Sequence, residues 1–391
     1  MRRLLGLCCL LLLGLSGCGG FFVPQTGGGG GGTNTGDYLY VANGNNTFFA
    51  GFGIASTGAL SVLSGSPYNN SVAGQSLAVN PGNTFLYAGT TAGIFVYGIN
   101  SNGSITVQNG GSVAADDMVA TAMQVDSTGN YLLAVGISTA QQVQAIAIYT
   151  INTSTGLLTP VPSSPLTLYS GSASNPVIVA PTGLFITPNN SYVYASLGTL
   201  GVQVLTLGSG GALAAGATPT LLAPFSKSAS PSDQGIASDP NSLFLFVAET
   251  NTGLREFSIG SGGSLQEVSG SPYAVGTGPT AVDLDATGSY VYVANKGSNN
   301  ISAFTLTAAS GKLTAVAGSP FGSGGVQPIG IVHDNTKQFV AVINFQATGA
   351  SGNSDLQLFK FDATVGGKLD PVATATTGTD PTNPIAIAAS H

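Results

Sequence analysis

Charged residues are scarce in this chain. Only 6% of its 391 residues are Asp, Glu, Lys or Arg, against about 25% in ordinary globular proteins. The chain has nine basic and sixteen acidic residues, which gives a net charge of −7. A chain with so few Lys and Arg lacks the basic surface that neutralises phosphates, so we do not expect a nucleic-acid partner.

Cysteine, tryptophan and histidine are also rare or absent. The three cysteines, Cys8, Cys9 and Cys18, lie near the start, so the rest of the chain offers no disulfide and no thiol nucleophile. Without Trp, an aromatic sugar-binding platform is not favoured. We interpret His333 and His391 as solvated or capping side chains. No His, Asp and Glu residues have the spacing of a metal site, and we expect no metal or cofactor.

Strand and turn residues are abundant instead. The chain has 57 Gly, and Ser, Thr, Asn, Val and Tyr take the place of helix-forming Lys, Glu and Arg. This composition favours an all-β protein. The hydrophobic content of 43% is enough for a large core.

The first eighteen residues, MRRLLGLCCLLLLGLSGC, have the features of an export signal. Arg2 and Arg3 precede a short apolar run, and small residues precede a predicted cleavage site, as in secretory signal peptides. The ending Leu-Ser-Gly-Cys resembles a bacterial lipobox, which implies cleavage before Cys18 and lipidation of its thiol. An ordinary signal peptide that happens to end in Cys is the alternative.

A glycine-rich stretch follows this signal. Six consecutive glycines occupy positions 27–32 and predict a flexible tether. We therefore divide the chain into a signal peptide (1–17), a lipidated Cys with its tether (18–36) and a folded body (37–391). The predicted location is the bacterial cell envelope, periplasm or cell surface, with the membrane as a partner through Cys18.

The folded body repeats one four-strand pattern. A copy begins PTAVDLD-ATGS-YVYVAN-KGSNN-ISAFTL, with alternating apolar residues separated by Gly, Asn, Asp and Ser turns. Six copies recur at intervals close to the roughly 40–50-residue period of propeller blades. Their first turns begin at Asn80, Asp126, Thr187, Asp239, Asp285 and Asp334.

The two ends of the body supply a seventh copy. The folded body begins with DYLYVAN, which matches the second strand of a copy, and ends with NPIAIAASH, which matches the first strand. Pairing the two closes a ring and removes exposed strand edges. The sequence therefore predicts a single seven-bladed β-propeller of four-stranded antiparallel blades, which we expect to be a monomer. Tyrosines at alternate second-strand positions are expected to pack between blades.

The blade motifs resemble a known family. The stretches NPIAIA and GPTAV, the strand YVYVAN with its Gly- and Asn-rich loop, and the pattern G-x-L-x-x-V-x-G-S-P are similar to the seven-bladed β-propeller lactonases, which include 6-phosphogluconolactonase-like, muconate cyclase-like and YncE-like proteins. The resemblance covers about residues 37–391. It implies a Pro-Arg-His pattern at the start of a blade, with acidic and basic partners in neighbouring blades.

This chain departs from that pattern at every blade. The position expected to hold the catalytic His is small in all seven: Ser76, Ala122, Gly183, Gly235, Ala281, Gly330 and Ala386. The position before it carries no Arg: Gln75, Thr121, Thr182, Gln234, Thr280, Ile329 and Ile385. None of these side chains is an effective proton-transfer group, which argues against lactonase chemistry at this place.

A few polar residues remain near the expected rim. Glu249 and Arg255 are the only catalytic candidates, and a partly buried Glu could act as a base. The full set of candidate rim contacts is Asn43, Asp117, Asp233, Gln234, Glu249, Arg255, Lys296 and Asn344. The alternative interpretation is that the Asn residues cap loops and the charged residues are solvated.

Three functions are compatible with these observations. The first is a non-enzymatic binding or assembly scaffold, with a protein or small molecule held at the rim. The second is a lactone hydrolase with a site on the rim. The third is a passive surface protein of the cell envelope. A shared fold does not decide between them.

Overall fold

The computed structural model describes most of the folded body. The described residues are 36–44, 47–162, 164–168, 171–172, 175–176, 181–215, 232–346, 355–377 and 384–391. The predicted signal peptide, Cys18 and the predicted tether up to residue 35 lie outside them.

Thirty-three strands form the described body. Blades 1 to 3 contain the first thirteen strands: β1 (Tyr38–Asn43), β2 (Phe48–Ile54), β3 (Leu60–Val62), β4 (Tyr68–Asn69), β5 (Gly74–Val79), β6 (Phe85–Thr90), β7 (Gly93–Ile99), β8 (Ile105–Val107), β9 (Met118–Val125), β10 (Tyr131–Ser138), β11 (Gln144–Ile151), β12 (Leu158–Pro160) and β13 (Leu166–Thr167). A small hairpin and blades 4 and 5 follow, with β14 (Gly171–Ser172), β15 (Asn175–Pro176), β16 (Gly183–Ile186), β17 (Tyr192–Ser196), β18 (Val202–Leu207), β19 (Leu213–Ala215), β20 (Ser232–Ser238), β21 (Phe244–Thr250), β22 (Gly253–Ile259) and β23 (Leu265–Glu267). Blades 6 and 7 and the last strand are β24 (Pro279–Leu284), β25 (Tyr290–Asn295), β26 (Asn300–Thr307), β27 (Lys312–Ala315), β28 (Phe321–Gly322), β29 (Val326–His333), β30 (Phe339–Gln346), β31 (Leu356–Phe361), β32 (Leu369–Ala375) and β33 (Pro384–Ala389).

The strands assemble into seven antiparallel blades arranged in a ring. The innermost strands are β5, β9, β16, β20, β24, β29 and β33, and each contacts the innermost strand of the next blade. The last strand, β33, pairs with β1, with Leu39 opposite Ala389. This pairing completes blade 1 from the two ends of the body, so the predicted ring closure is confirmed. The all-β seven-bladed propeller predicted from the sequence is confirmed with it.

The same type of hydrogen bond, from backbone to side chain, shapes the turn after six of the seven inner strands. In each, a side-chain oxygen accepts the backbone N–H five residues later, which fixes the start of the second strand. The pairs are Asn80 with Phe85, Asp126 with Tyr131, Thr187 with Tyr192, Asp239 with Phe244, Asp285 with Tyr290 and Asp334 with Phe339. These are the six residues that marked the repeat in the sequence. We name the face that carries these turns the lower face, and the opposite face the upper face.

Tyrosines join four pairs of adjacent blades. At the third position of the second strand, the tyrosine hydroxyl donates a hydrogen bond to a glycine carbonyl in the outer turn of the next blade. The pairs are Tyr40 with Gly103 (2.7 Å), Tyr87 with Gly156 (3.2 Å), Tyr194 with Gly263 (3.1 Å) and Tyr292 with Gly367 (3.0 Å). We call this contact the tyrosine clasp. The predicted role of these tyrosines in packing between blades is confirmed.

The repeated Ser-Pro exits also have a structural role. In blades 1, 3, 5 and 6 the serine Oγ accepts the backbone N–H of a third-strand residue at 2.9–3.0 Å. Apolar side chains fill the space between neighbouring blades, with clusters that span two or three blades each. Within the described residues, the helical elements are three short 3-10 turns (Asn109–Gly111, Ser209–Gly211 and Ser261–Gly263), and no helix there has the length and hydropathy needed to cross a membrane.

Candidate functional site

Around the upper end of the central channel, the inner strands of neighbouring blades pack closely against each other. The small residues at the starts of the blades let neighbouring inner strands approach. A Cβ added at Gly235 of blade 5 would lie 2.6 Å from the Ala281 Cα of blade 6. The Oγ of Ser76 donates to the Ala120 carbonyl of the next blade at 2.8 Å. The small side chains at this level therefore allow the inner strands of neighbouring blades to pack closely.

The threonines that stand where the family pattern has Arg also connect blades. The Thr121 Oγ1 donates to the Pro181 carbonyl of blade 4 at 2.7 Å. The Thr280 Oγ1 donates to the Pro328 carbonyl of blade 7 at 3.0 Å. Their hydroxyls are thus engaged with backbone carbonyls, and both observations agree with a channel built for packing.

Glu249 and Arg255, the two catalytic candidates, are brought together inside blade 5. Arg255 Nη1 lies 3.2 Å from Glu249 Oε2, and Arg255 Nη2 lies 3.1 Å from Glu267 Oε2. The Glu249 side chain is fully buried and that of Arg255 is 6% exposed. The guanidinium also lies 4.8 Å from the centre of the Phe257 ring. The interpretation of these charges as solvated is therefore wrong, because both are buried and paired.

This ion-pair network restricts what its members can do chemically. Burial by itself lowers the pKa of Arg255, but hydrogen bonds and charge from Glu267 and Glu249 raise it overall. A guanidinium held in this way stays protonated and cannot act as a base. The other Glu249 oxygen accepts the Thr252 hydroxyl at 2.6 Å. The arrangement joins the second, third and fourth strands of blade 5.

The asparagine candidates cap loops. The Asn43 Nδ2 donates to the Thr377 carbonyl at 3.1 Å, and the Asn344 Nδ2 donates to the Ser323 carbonyl at 3.2 Å. Both side chains are buried. The capping interpretation of these two residues therefore describes their observed contacts.

Lys296 lies on the upper rim between blades 6 and 7. Its ammonium is 5.3 Å from the centre of the Phe345 ring, the residue that follows Asn344. The side chain is half-buried, and this burial lowers its pKa. Lys296 is therefore a sequence-predicted charge that is both near the upper face and partly accessible.

The remaining candidates do not join one site. Asp117 of blade 3 is half-buried and accepts the Tyr149 hydroxyl. Asp233 and Gln234 lie in β20, where Asp233 is the cross-strand partner of Glu249, but their side chains lie outside the described part. Cys18 also lies outside it.

The lower mouth of the channel has a polar pair that the sequence did not reveal. The His333 Nδ1 lies 3.0 Å from the Asp283 Oδ2, which also accepts the His333 backbone N–H at 2.9 Å. Burial raises the pKa of Asp283, while the charge and hydrogen bonds of His333 lower it in part. The His333 side chain is only 12% exposed, so the expectation of a solvated histidine is wrong.

The cavity beside this pair is small. It has a volume of about 30 Å³ and is lined by Ser238, Asp285 and His333 among others, which leaves room for about one or two water molecules. His391 does act as a capping residue, because its Nε2 lies 3.2 Å from the Val79 carbonyl oxygen. Across the described residues, no three His, Cys, Asp or Glu side chains are grouped so that they could hold a metal ion.

Comparison with known proteins finds a family match over part of the chain. Residues 184–327 match the model of the family described as Lactonase, 7-bladed beta-propeller. The resemblance to the lactonase propellers is confirmed. This match covers blades 4 to 6, less than half of the chain. No curated protein sequence gives a significant match.

Solved structures of lactonase propellers share the fold. A candidate 6-phosphogluconolactonase of Bacteroides uniformis has a TM-score of 0.71 and 15% identity, with 90% of this chain and 98% of that chain covered. A periplasmic gluconolactonase of Pseudomonas aeruginosa has a TM-score of 0.65 and 17% identity, with 91% and 99% covered. At such identities the similarity shows the fold alone.

Sequence reasoning missed two contacts at these places. Glu267 was not recognised as the third member of the Arg255 network, although it lies on β23, the strand that pairs with β22. The Asp283–His333 pair joins blades 6 and 7, and no local spacing predicts a contact between residues fifty positions apart in sequence.

Proposed function

We propose that this chain is an exported, lipid-anchored propeller that acts as a non-enzymatic binding scaffold and holds its partner at the upper rim. The observation that carries the proposal is the use of the upper channel for packing. Small residues stand at every position where the family pattern places His, and at two of the Arg positions Thr121 and Thr280 donate to backbone carbonyls of the next blade. A ring with a polar rim and without the patterned Arg and His at the starts of its inner strands is suited to binding.

The buried charges support the same proposal. Glu249 and Arg255 are bound to each other and to Glu267, Thr252 and the Phe257 ring. Breaking this network to create an active site would leave buried charges unpaired, which is costly. Export and anchoring are proposed from the lipobox-like ending at Cys18. The periplasmic location named for the Pseudomonas aeruginosa relative agrees with export.

Site-specific photo-crosslinking in intact cells tests the scaffold. A photoreactive residue at position 296 should give a discrete adduct with one partner. The same residue at position 312, an exposed site at the opposite end of blade 6, should give none. Adducts of equal intensity at both positions, or none at either, would contradict binding at the upper rim.

Lactone hydrolysis is the second candidate, favoured by the family match over residues 184–327. A site of this kind would use Lys296, whose lowered pKa brings its amine closer to the neutral form, together with partners on the rim. Turnover of a lactone that is lost in Lys296→Ala would support this candidate and contradict the scaffold.

A further inference from the structure

Glu256 of β22 occupies a position that is apolar or glycine in every other blade. The strand register and the Ser-Pro contacts define the equivalent residues, each opposite the third residue of the second strand. They are Gly51, Val96, Ile148, Val204, Ala303 and Leu358. A carboxyl group at such a place has to be explained, because burying an ionised carboxylate is expensive.

The surroundings of Glu256 offer little compensation. The residue is fully buried, and neither carboxyl oxygen accepts a well-formed hydrogen bond from the described residues. Apolar side chains of blades 5 and 6 pack around it, among them Phe244 and Leu313. The titratable groups that act on it are the Tyr273 hydroxyl, which favours the ionised form, and Asp239, which opposes it.

Glu256 lies next to the position that the tyrosine clasp occupies in four other blades. In blade 5 the clasp position holds Phe246, which has no hydroxyl, and Glu256 lies directly opposite it in register. The clasp tyrosines reach the glycine of the outer turn in the next blade, which in blade 6 is Gly311. A Cβ at Gly311 would lie 2.7 Å from the Glu256 Oε1. The carboxyl group therefore reaches the turn that a tyrosine reaches elsewhere.

We propose that Glu256, held as a neutral carboxylic acid, replaces the tyrosine clasp between blades 5 and 6 and forms a proton-dependent latch there. A protonated carboxyl has an O–H donor, as a tyrosine does, whereas a carboxylate has none. Loss of the proton leaves a buried charge facing the turn of blade 6. The interface between blades 5 and 6 should then loosen.

The direction of the pH effect follows from this assignment. Burial raises the pKa of Glu256 from 4.5 to about 8. Between these values the folded chain keeps a proton that the unfolded chain has released, so stability falls as the pH rises. One such proton changes the folding equilibrium constant by up to about tenfold per pH unit. Above pH 8 the contribution of Glu256 becomes constant.

Denaturation of the full-length protein from pH 5 to 9.5 tests the latch. In the wild type, Glu256 should lower the folding equilibrium constant by up to about tenfold for each pH unit below pH 8. Glu256→Gln should remove this contribution, so its folding constant should fall less steeply with pH. The variant Phe246→Tyr/Glu256→Val recreates the Tyr–Val pairing of blades 2 and 4, and should show the same reduced slope with stability retained at pH 9. Asp370→Asn, which removes a partly exposed carboxylate, also replaces a carboxyl group by an amide and should keep the wild-type slope.

Amide hydrogen exchange locates the effect. Raising the pH from 7 to 9 should speed opening of β22 and β26 beyond the intrinsic pH effect in the wild type, but not in Glu256→Gln. A wild-type pH slope in Glu256→Gln would overturn the proposal. The proposal would also be overturned if Glu256→Gln folds normally and if the exchange of β22 in the wild type does not speed up beyond the intrinsic pH effect between pH 7 and 9.

Discussion

Replacing Arg255 by Met tests whether the Glu249–Arg255–Glu267 network is structural. Met keeps the apolar length of the side chain over Phe257 but removes the charge and all hydrogen bonds. Glu249, whose side chain is fully buried, would lose its cationic partner. Breaking a buried ion pair from one side costs about 3–5 kcal/mol. We therefore expect the free energy of unfolding of Arg255→Met to fall by about this amount.

A double variant separates the ion pair from the packing. In Glu249→Gln/Arg255→Met the buried charge is removed together with its partner, so we expect a smaller loss than in Arg255→Met alone. Both proteins are compared by chemical denaturation at neutral pH, with Lys312→Met as a control for loss of an exposed cation. A loss below about 1 kcal/mol in Arg255→Met would refute the reasoning, because it would mean that Glu249 is solvated or bound elsewhere.

Two further predictions concern the ring itself. Gly235→Ala should destabilise the protein by at least about 2 kcal/mol, because the added methyl group overlaps the backbone of blade 6; an unchanged thermal midpoint would show that the inner strands can separate. Burial, together with the charge of Asp334, raises the pKa of Asp37 from 3.8 to about 8. The folded state therefore holds this proton and loses stability as the pH rises through that window. Asp37→Asn should be more stable than the wild type at pH 8.5, measured by denaturation, and equal stability at that pH would contradict the burial argument.

Much of the fold was readable because each blade repeats the same local signals. Asp126 and Asp285 indicated the turns, and Tyr87 and Tyr292 indicated the strand faces that pack between blades. The two half-blades at the ends of the body predicted the pairing of β1 with β33. These features depend on alternation and turn chemistry within a few residues.

The candidate site was less readable, for a physical reason. Glu249 and Arg255 were found as rare charges, but their burial depends on how blade 5 packs against its neighbours. Asp283 and His333 meet only because two inner strands lie side by side in the ring. Glu256 stands out only after the register shows which positions of the other blades are equivalent. The spacing of residues within one blade does not predict the contacts between blades.

Hydrolysis of a panel of sugar and aliphatic lactones, followed by proton release, tests the central claim most directly. The account predicts that the purified full-length protein hydrolyses none of them faster than the uncatalysed reaction. Turnover that rises in proportion to protein concentration and disappears in Lys296→Ala would contradict it. That result would mean that the rim of this propeller is an active site.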